Sequence, residues 1–211
     1  MIKIEHTDVY GFETAIRGMR NPKNSWDKSD SYARSSAEMN VESEWVIGEN
    51  DLKLMKNLAK AGDDHGKFLR MITVTADITA PLYWYKEYDT YKVGTVANST
   101  STMHKVHAKP FEMDDFSHDH MDEETLKQMQ HVIDYLEHLR GKYLETKDKQ
   151  YWYDIIQFLP SSYNQMRTVQ LNYQVLKSMY YARKDHKLDE WRLFCKWIEE
   201  LPYFKEIVLE E

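Results

Sequence analysis

The reading of the fold turns on Ala80-Pro81-Leu82-Tyr83-Trp84-Tyr85-Lys86-Glu87-Tyr88-Asp89 and the polar run behind it, Thr90-Tyr91-Lys92-Val93-Gly94-Thr95-Val96-Ala97-Asn98-Ser99-Thr100-Ser101-Thr102-Met103-His104. Proline suits the first turn of a helix, so residues 82–91 read as a short aromatic helix. The run that follows is rich in hydroxyls and amides and contains Gly94, Lys92 and His104. A loop of that composition presents backbone N–H groups, hydroxyl donors and a cation, which suits a phosphate or the edge of a base. An ordinary solvated loop is the alternative.

Directly upstream, residues 68–78 change to period two. Phe68, Ile72, Val74, Ala76 and Ile78 fall on one side, Thr73, Thr75, Asp77 and Thr79 on the other, and Arg70 is the one break on the apolar side. Nearer the N-terminus, Met1-Ile2-Lys3-Ile4-Glu5-His6 alternates like a strand. Val9, Phe12, Ala15, Ile16 and Met19 then have helical spacing, ending near Arg20-Asn21-Pro22. Residues 24–40 are polar and serine-rich and read as a long loop, and residues 44–48 as a short strand or loop anchor. Asn50 or Asp51 can cap a helix carrying Leu52, Met55, Leu58 and Ala59, with Gly62 as its stop.

The second half reads as helical. Leu126, Met129, Ile133, Leu136 and Tyr143 form a stripe behind Asp122-Glu123-Glu124, acids that complement a helix dipole. Further helices are expected over residues 149–158, 161–183 and 188–200, with Pro160 between the first two and Pro202 closing the last. A few strands among many helices, without regular βαβ alternation, give an α+β class. No repeat or flexible linker divides the sequence, so residues 1–211 read as one domain.

Composition narrows the function classes. The 211 residues carry 28 Lys and Arg against 35 Asp and Glu, a formal charge of −7. Such an acidic chain has no global field for nucleic acid polymers, whose binding rests on neutralising phosphates. Mean hydropathy is −0.73; there is no apolar run of the roughly 18–20 residues a bilayer requires, and the opening residues lack a signal peptide's apolar block. A single cysteine, Cys195, excludes an internal disulfide and a cysteine-based zinc site. The expectation is a soluble, cytoplasmic protein.

Other clusters read more plainly. Residues 114–122 crowd His118 and His120 among carboxylates, but no spacing matches a metal motif and a helix follows that favours acids at its start. No metal is assigned. Ser99, Ser101 and the histidines lack a Gly-x-Ser-x-Gly elbow, and the rings Tyr83, Trp84, Tyr85, Trp191 and Trp197 read as core.

In the run from Thr90 to His104 the chain resembles the flavin-dependent thymidylate synthases, whose motif is R-H-R-x-x-S-x-N-E-x-S-x-R-Y. Thr90-Tyr91-Lys92 falls on R-H-R and Thr95 on the first serine. After a one-residue insertion near Ala97, Asn98 falls on the asparagine, Ser99 on the glutamate, Ser101 on the second serine, and Met103-His104 on Arg-Tyr. His65 matches the histidine of the family's Gly-His segment. Leu159-Pro160, Asn172 and Arg183 keep the family's C-terminal spacing without a gap, with Ala182 replacing a leucine. The resemblance runs from about Gly62 to Trp197.

That resemblance implies the family's fold, FAD bound at subunit interfaces of a homotetramer, and one-carbon transfer from methylenetetrahydrofolate to a pyrimidine nucleotide, with NADPH as reductant. It implies Thr95, Ser99, Ser101 and Arg183 toward the nucleotide, His65, Lys92, Asn98 and Asn172 toward the flavin, and no side-chain nucleophile. Family arginines are replaced by Thr90, Met103, Gln174 and Ile156. Each lost charge-assisted phosphate contact is worth roughly 1.5–3 kcal/mol, which implies an altered specificity. The cations available to compensate are Arg20, Lys105, Arg167 and Arg183. A homologue without catalysis that binds a nucleotide or a protein partner is the other implication.

Overall fold

Strand β1 (Lys3–Tyr10) opens the chain in the computed structural model, which describes residues 1–34 and 44–210. Then come α1 (Phe12–Arg20), β2 (Tyr32–Arg34), β3 (Glu44–Val46), α2 (Glu49–Lys60), β4 (Thr73–Pro81), α3 (Leu82–Tyr88), β5 (Val96–Ser99), α4 (Glu123–Thr146), α5 (Lys149–Phe158), β6 (Asn164–Asn172), α6 (Tyr173–Arg183) and α7 (Asp189–Glu200). Four strands form a sheet in the order β1-β4-β6-β5, and β2 pairs antiparallel with β3, Tyr32 opposite Val46. The class is α+β, as expected.

The chain packs as two compact units. One comprises Met1–Glu5, Asp77–Tyr91 and Ala97–Val169; the other His6–Ala76, Lys92–Val96 and Gln170–Glu211. In the first, Met129, Ile133, Leu136 and Leu139 of α4 close on Ile155 of α5 and on Phe111 and Phe116. Side-chain caps start both helices: Asp122 accepts the amide of Thr125 at 2.8 Å, and Asp148 that of Gln150 at 2.9 Å. In the second unit, Phe12 of α1 meets the Tyr173 ring edge-on at 6.0 Å, and Tyr173 meets Phe204 at 5.2 Å. Trp191, Phe194 and Ile198 bury the inner stripe of α7.

Several expectations need correction. The helix expected over 161–183 is β6 followed by α6. Gln165, Val169 and Leu171 are buried while Met166, Thr168 and Gln170 are exposed, a period-two pattern that overrides the helix propensity of Gln, Met and Arg. Asn172 then caps α6 by accepting the Val175 amide at 3.0 Å. The strand expected over 68–78 begins only at Thr73, because Gly66–Arg70 forms a 3-10 turn that buries Phe68 and Leu69. The aromatic helix stops at Tyr88, and the polar run beyond it contains β5.

The loop expected over 24–40 contains a 3-10 turn at Trp26–Lys28 and then β2; its last part, residues 35–40, lies outside the described residues. Gly48, not Asn50 or Asp51, holds the N-cap of α2. Asp51 instead turns inward and is fully buried, with Arg20 Nε at 2.6 Å. Beyond Pro202 the chain adds a π-helical turn, Lys205–Leu209.

Candidate functional site

Gly94 fixes the local geometry of the candidate site. Its φ of +78° lies in the left-handed region that glycine enters without steric cost. A Cβ there would stand 2.7 Å from Asn172 Nδ2, so only a glycine lets the turn lie against the start of α6. Around this contact is a cleft of about 240 Å3 whose polar lining is Arg70, Thr73, Thr95, Gln170 and Asn172, with Gly94 beside them. One guanidinium, two hydroxyls and two amides converge, and no carboxylate is among the lining residues. That donor set can hold an anion or hydrogen-bond a base edge.

Two of the residues expected from sequence, Thr95 and Asn172, share this cleft. Lys92 lies exposed in the same turn, and His65 is exposed in the turn before Gly66–Arg70, its amide on the Gly62 carbonyl. Arg183 ends α6 with its guanidinium 4.8 Å from the centre of the Trp191 ring. Asn98 and Ser99 are exposed on β5, in the other unit with Ser101. Ser101 Oγ accepts the amides of Met103 at 3.2 Å and His104 at 2.8 Å, which holds that turn closed.

Sequence reasoning did not single out Arg70, which lines this cleft. Its signal was present: a lone cation interrupting an apolar alternation. Three of the cations expected to compensate for missing arginines are committed elsewhere. Arg20 pairs with buried Asp51. Arg167 reaches Asp89 at 2.7 Å and lies 3.7 Å over the Tyr85 ring, and Arg183 stacks on Trp191. Burial raises the phenols of Tyr85 and Tyr88 well above the tyrosine range although Arg167 pulls the other way, so both stay neutral.

The acidic stretch 114–122 serves structure, and its Asp119 pairs with the Met1 amino group. Asp115 pairs with Lys109 and closes a capping box with Glu112, and Asp122 caps α4. Among the described residues no three His, Cys, Asp or Glu side chains are grouped to hold a metal ion. No helix among them is long and apolar enough to cross a membrane.

No family model and no curated protein matches the sequence. Solved structures do match in fold. A thymidylate synthase X (ThyX) from Helicobacter pylori, with FAD and dUMP, aligns over 100% of this chain and 98% of its own, with TM-score 0.72 and 15% identity. A second structure of the H. pylori flavin-dependent thymidylate synthase, complexed with FAD and dUMP, gives TM-score 0.70 at 16% identity over 99% of this chain and 98% of that one. A UMP/dUMP methylase, PolB from Streptomyces cacaoi bound with 5-Br dUMP, covers 94% of this chain and 88% of its own at TM-score 0.61 and 14% identity. The fold is therefore that of the flavin-dependent thymidylate synthases, in a sequence far diverged from these structures.

Proposed function

We propose that the chain is a flavin-dependent, thymidylate-synthase-like enzyme of the cytoplasm that transfers one carbon from methylenetetrahydrofolate to a pyrimidine nucleotide, with a specificity altered from ordinary thymidylate synthesis. The observation that carries this reading is the Gly94 cleft, where Thr95 and Asn172 from the family's motif positions meet Arg70. The lining fits a phosphate-bearing cofactor such as FAD: donors predominate, a guanidinium supplies charge, and the missing Cβ of Gly94 leaves backbone within reach. FAD, when bound, supplies the redox chemistry, with NADPH as the reductant. The chain's own residues bind and orient. His65, Lys92, Asn98 and Asn172 are assigned to the cofactor, and Thr95, Ser99 and Ser101 to the nucleotide, with Arg183 joining them only on leaving the Trp191 ring. A homotetramer with sites at subunit interfaces belongs to the same reading.

Arg70 takes the part of the replaced arginines. Arg70→Ala is expected to weaken FAD or dUMP binding roughly ten- to a hundredfold, the worth of one charge-assisted contact, while far-UV circular dichroism stays unchanged. Titration calorimetry measures it, and unaltered affinities for both ligands would remove Arg70 from the site.

One observation favours a second reading, a homologue that binds a nucleotide or protein partner without catalysis: Arg20, Arg167 and Arg183 are engaged by Asp51, Asp89 and Trp191. An absorption spectrum after incubation with excess FAD and desalting separates the two. A retained flavin band near one cofactor per chain is expected of the enzyme. A folded, colourless protein overturns it.

A further inference from the structure

A second cleft, of about 400 Å3, lies within the other unit, where the end of α4 and the start of α5 face the segment after Ser101. His104, His107, Tyr143, Lys147, Lys149 and Trp152 line it, and none of the six is acidic. His104 falls on the tyrosine of the family motif, and the resemblance assigns no role to the other five. Lys147 holds the left-handed C-cap of α4, with its ammonium 5.9 Å from the centre of the Tyr143 ring. Lys149 stands 5.8 Å from Trp152 and 5.1 Å from Tyr153. Trp152 Nε1 donates to the Met103 carbonyl at 2.9 Å, which ties the His104 turn to α5.

Lys147 and Lys149 line the cleft and no acid does. Asp148, between the two lysines in sequence, keeps its charge but turns its carboxylate to the Gln150 amide at 2.9 Å. The His107 ring meets Tyr143 edge-on at 4.7 Å, and its Nδ1 is buried without a hydrogen-bond partner. Burial, and then Lys147, Lys105 and Arg140, lower the proton affinity of His107, as expected where cations gather. Like charges held beside aromatic rings repel one another unless an anion joins them. A cleft of this size with a few convergent polar groups is of ligand dimensions.

We infer that this cleft is a binding site for a nucleoside monophosphate, its phosphate on Lys147 and Lys149 and its base against Trp152 and Tyr143. The two ammoniums supply the charge for a dianion, and the rings supply stacking that tolerates any base. This site is independent of the Gly94 cleft and is tested with that cleft weakened.

The experiment is titration calorimetry of UMP, uridine and inorganic phosphate into the Arg70→Ala protein, then into the same protein carrying Lys147→Asn and Lys149→Ala. Asparagine is chosen at Lys147 because it tolerates the φ of +58° there. Arg70→Ala protein is expected to bind UMP at one per chain, more tightly than uridine or phosphate alone. The added lysine changes are expected to weaken UMP at least tenfold with the far-UV spectrum intact. Equal affinity with and without the lysines overturns the inference, as does uridine binding as tightly as UMP. Loss of all UMP binding in Arg70→Ala alone also overturns it, and leaves the reading of the Gly94 cleft standing.

Discussion

Asp51→Ala is expected to destabilise the fold by about 3–5 kcal/mol, the usual consequence of stripping one partner from a buried ion pair. The carboxylate is fully buried and accepts from five donors besides Arg20's charge: Arg20 Nε at 2.6 Å, the hydroxyls of Ser29 and Ser31 at 2.7 Å, and the amides of Asp30 at 3.1 Å and Ser31 at 3.2 Å. Alanine would leave the Arg20 guanidinium, 4% exposed, without a counter-charge. Its remaining bonds go to the Ser25 and Lys28 carbonyls at 3.0 Å and the Ser25 hydroxyl at 3.5 Å, which neutralise nothing. For a chain of this size the loss corresponds to a melting temperature lower by about 10 °C, and a drop under 2 °C would refute the account. The pH dependence has a definite sign. Burial pushes the Asp51 carboxyl upward, but hydrogen bonds from Ser29, Ser31 and Arg20, with the Arg20 charge, outweigh it and hold it below its ordinary value. The stabilisation is therefore complete above about pH 4, where an unfolded carboxyl is ionised. It fades as pH falls through the lower native value, and wild-type and Asp51→Asn stabilities converge in acid.

Gly94→Ala carries the second large effect, about 2–3 kcal/mol of stability together with loss of ligand affinity at the Gly94 cleft. A left-handed backbone costs a non-glycine residue about 1–2 kcal/mol. The new Cβ, 2.7 Å from Asn172 Nδ2, must also displace that side chain, whose other atom caps α6; a lost cap adds about 1 kcal/mol. Because both costs pass through Asn172, Gly94→Ala and Asn172→Ala are expected to be non-additive, the double variant losing less than the sum of the singles. Urea unfolding of the four proteins measures the coupling, and strict additivity would show that the turn and the cap are independent.

How legible these features were depends on where their determinants lie in sequence. Helix α5 was read at its observed bounds because an aspartate, an amphipathic stripe and Leu159-Pro160 all lie within a dozen residues. Strand β6 was not, because Gln165 and Arg167 occupy its inward positions. Each is satisfied by a distant partner, the Thr100 carbonyl at 2.6 Å and Asp89 at 2.7 Å, that no local window contains. Asp51 looked like a helix cap for the same reason: an acid in a first turn has an obvious local use, while its actual partners come from Arg20 and the segment Ser29–Ser31. Motif spacing alone singled out Thr95 and Asn172, which line one cleft. Arg70 was hidden by reading the strand too far upstream, which placed its side chain on an apolar face; the 3-10 turn before β4 frees it to line the cleft.

The Asp51 centre also makes the segment between α1 and β2 a single opening unit. The amides of Asp30 and Ser31 end directly on that carboxylate, while the carbonyls of Ser25 and Lys28 end on the guanidinium it neutralises. Protection against hydrogen exchange in Asp30 and Ser31 is thus governed by one shared opening free energy rather than by independent local bonds. A segment organised in this way is weakened as a block, because protonating one buried carboxylate weakens all of these contacts together.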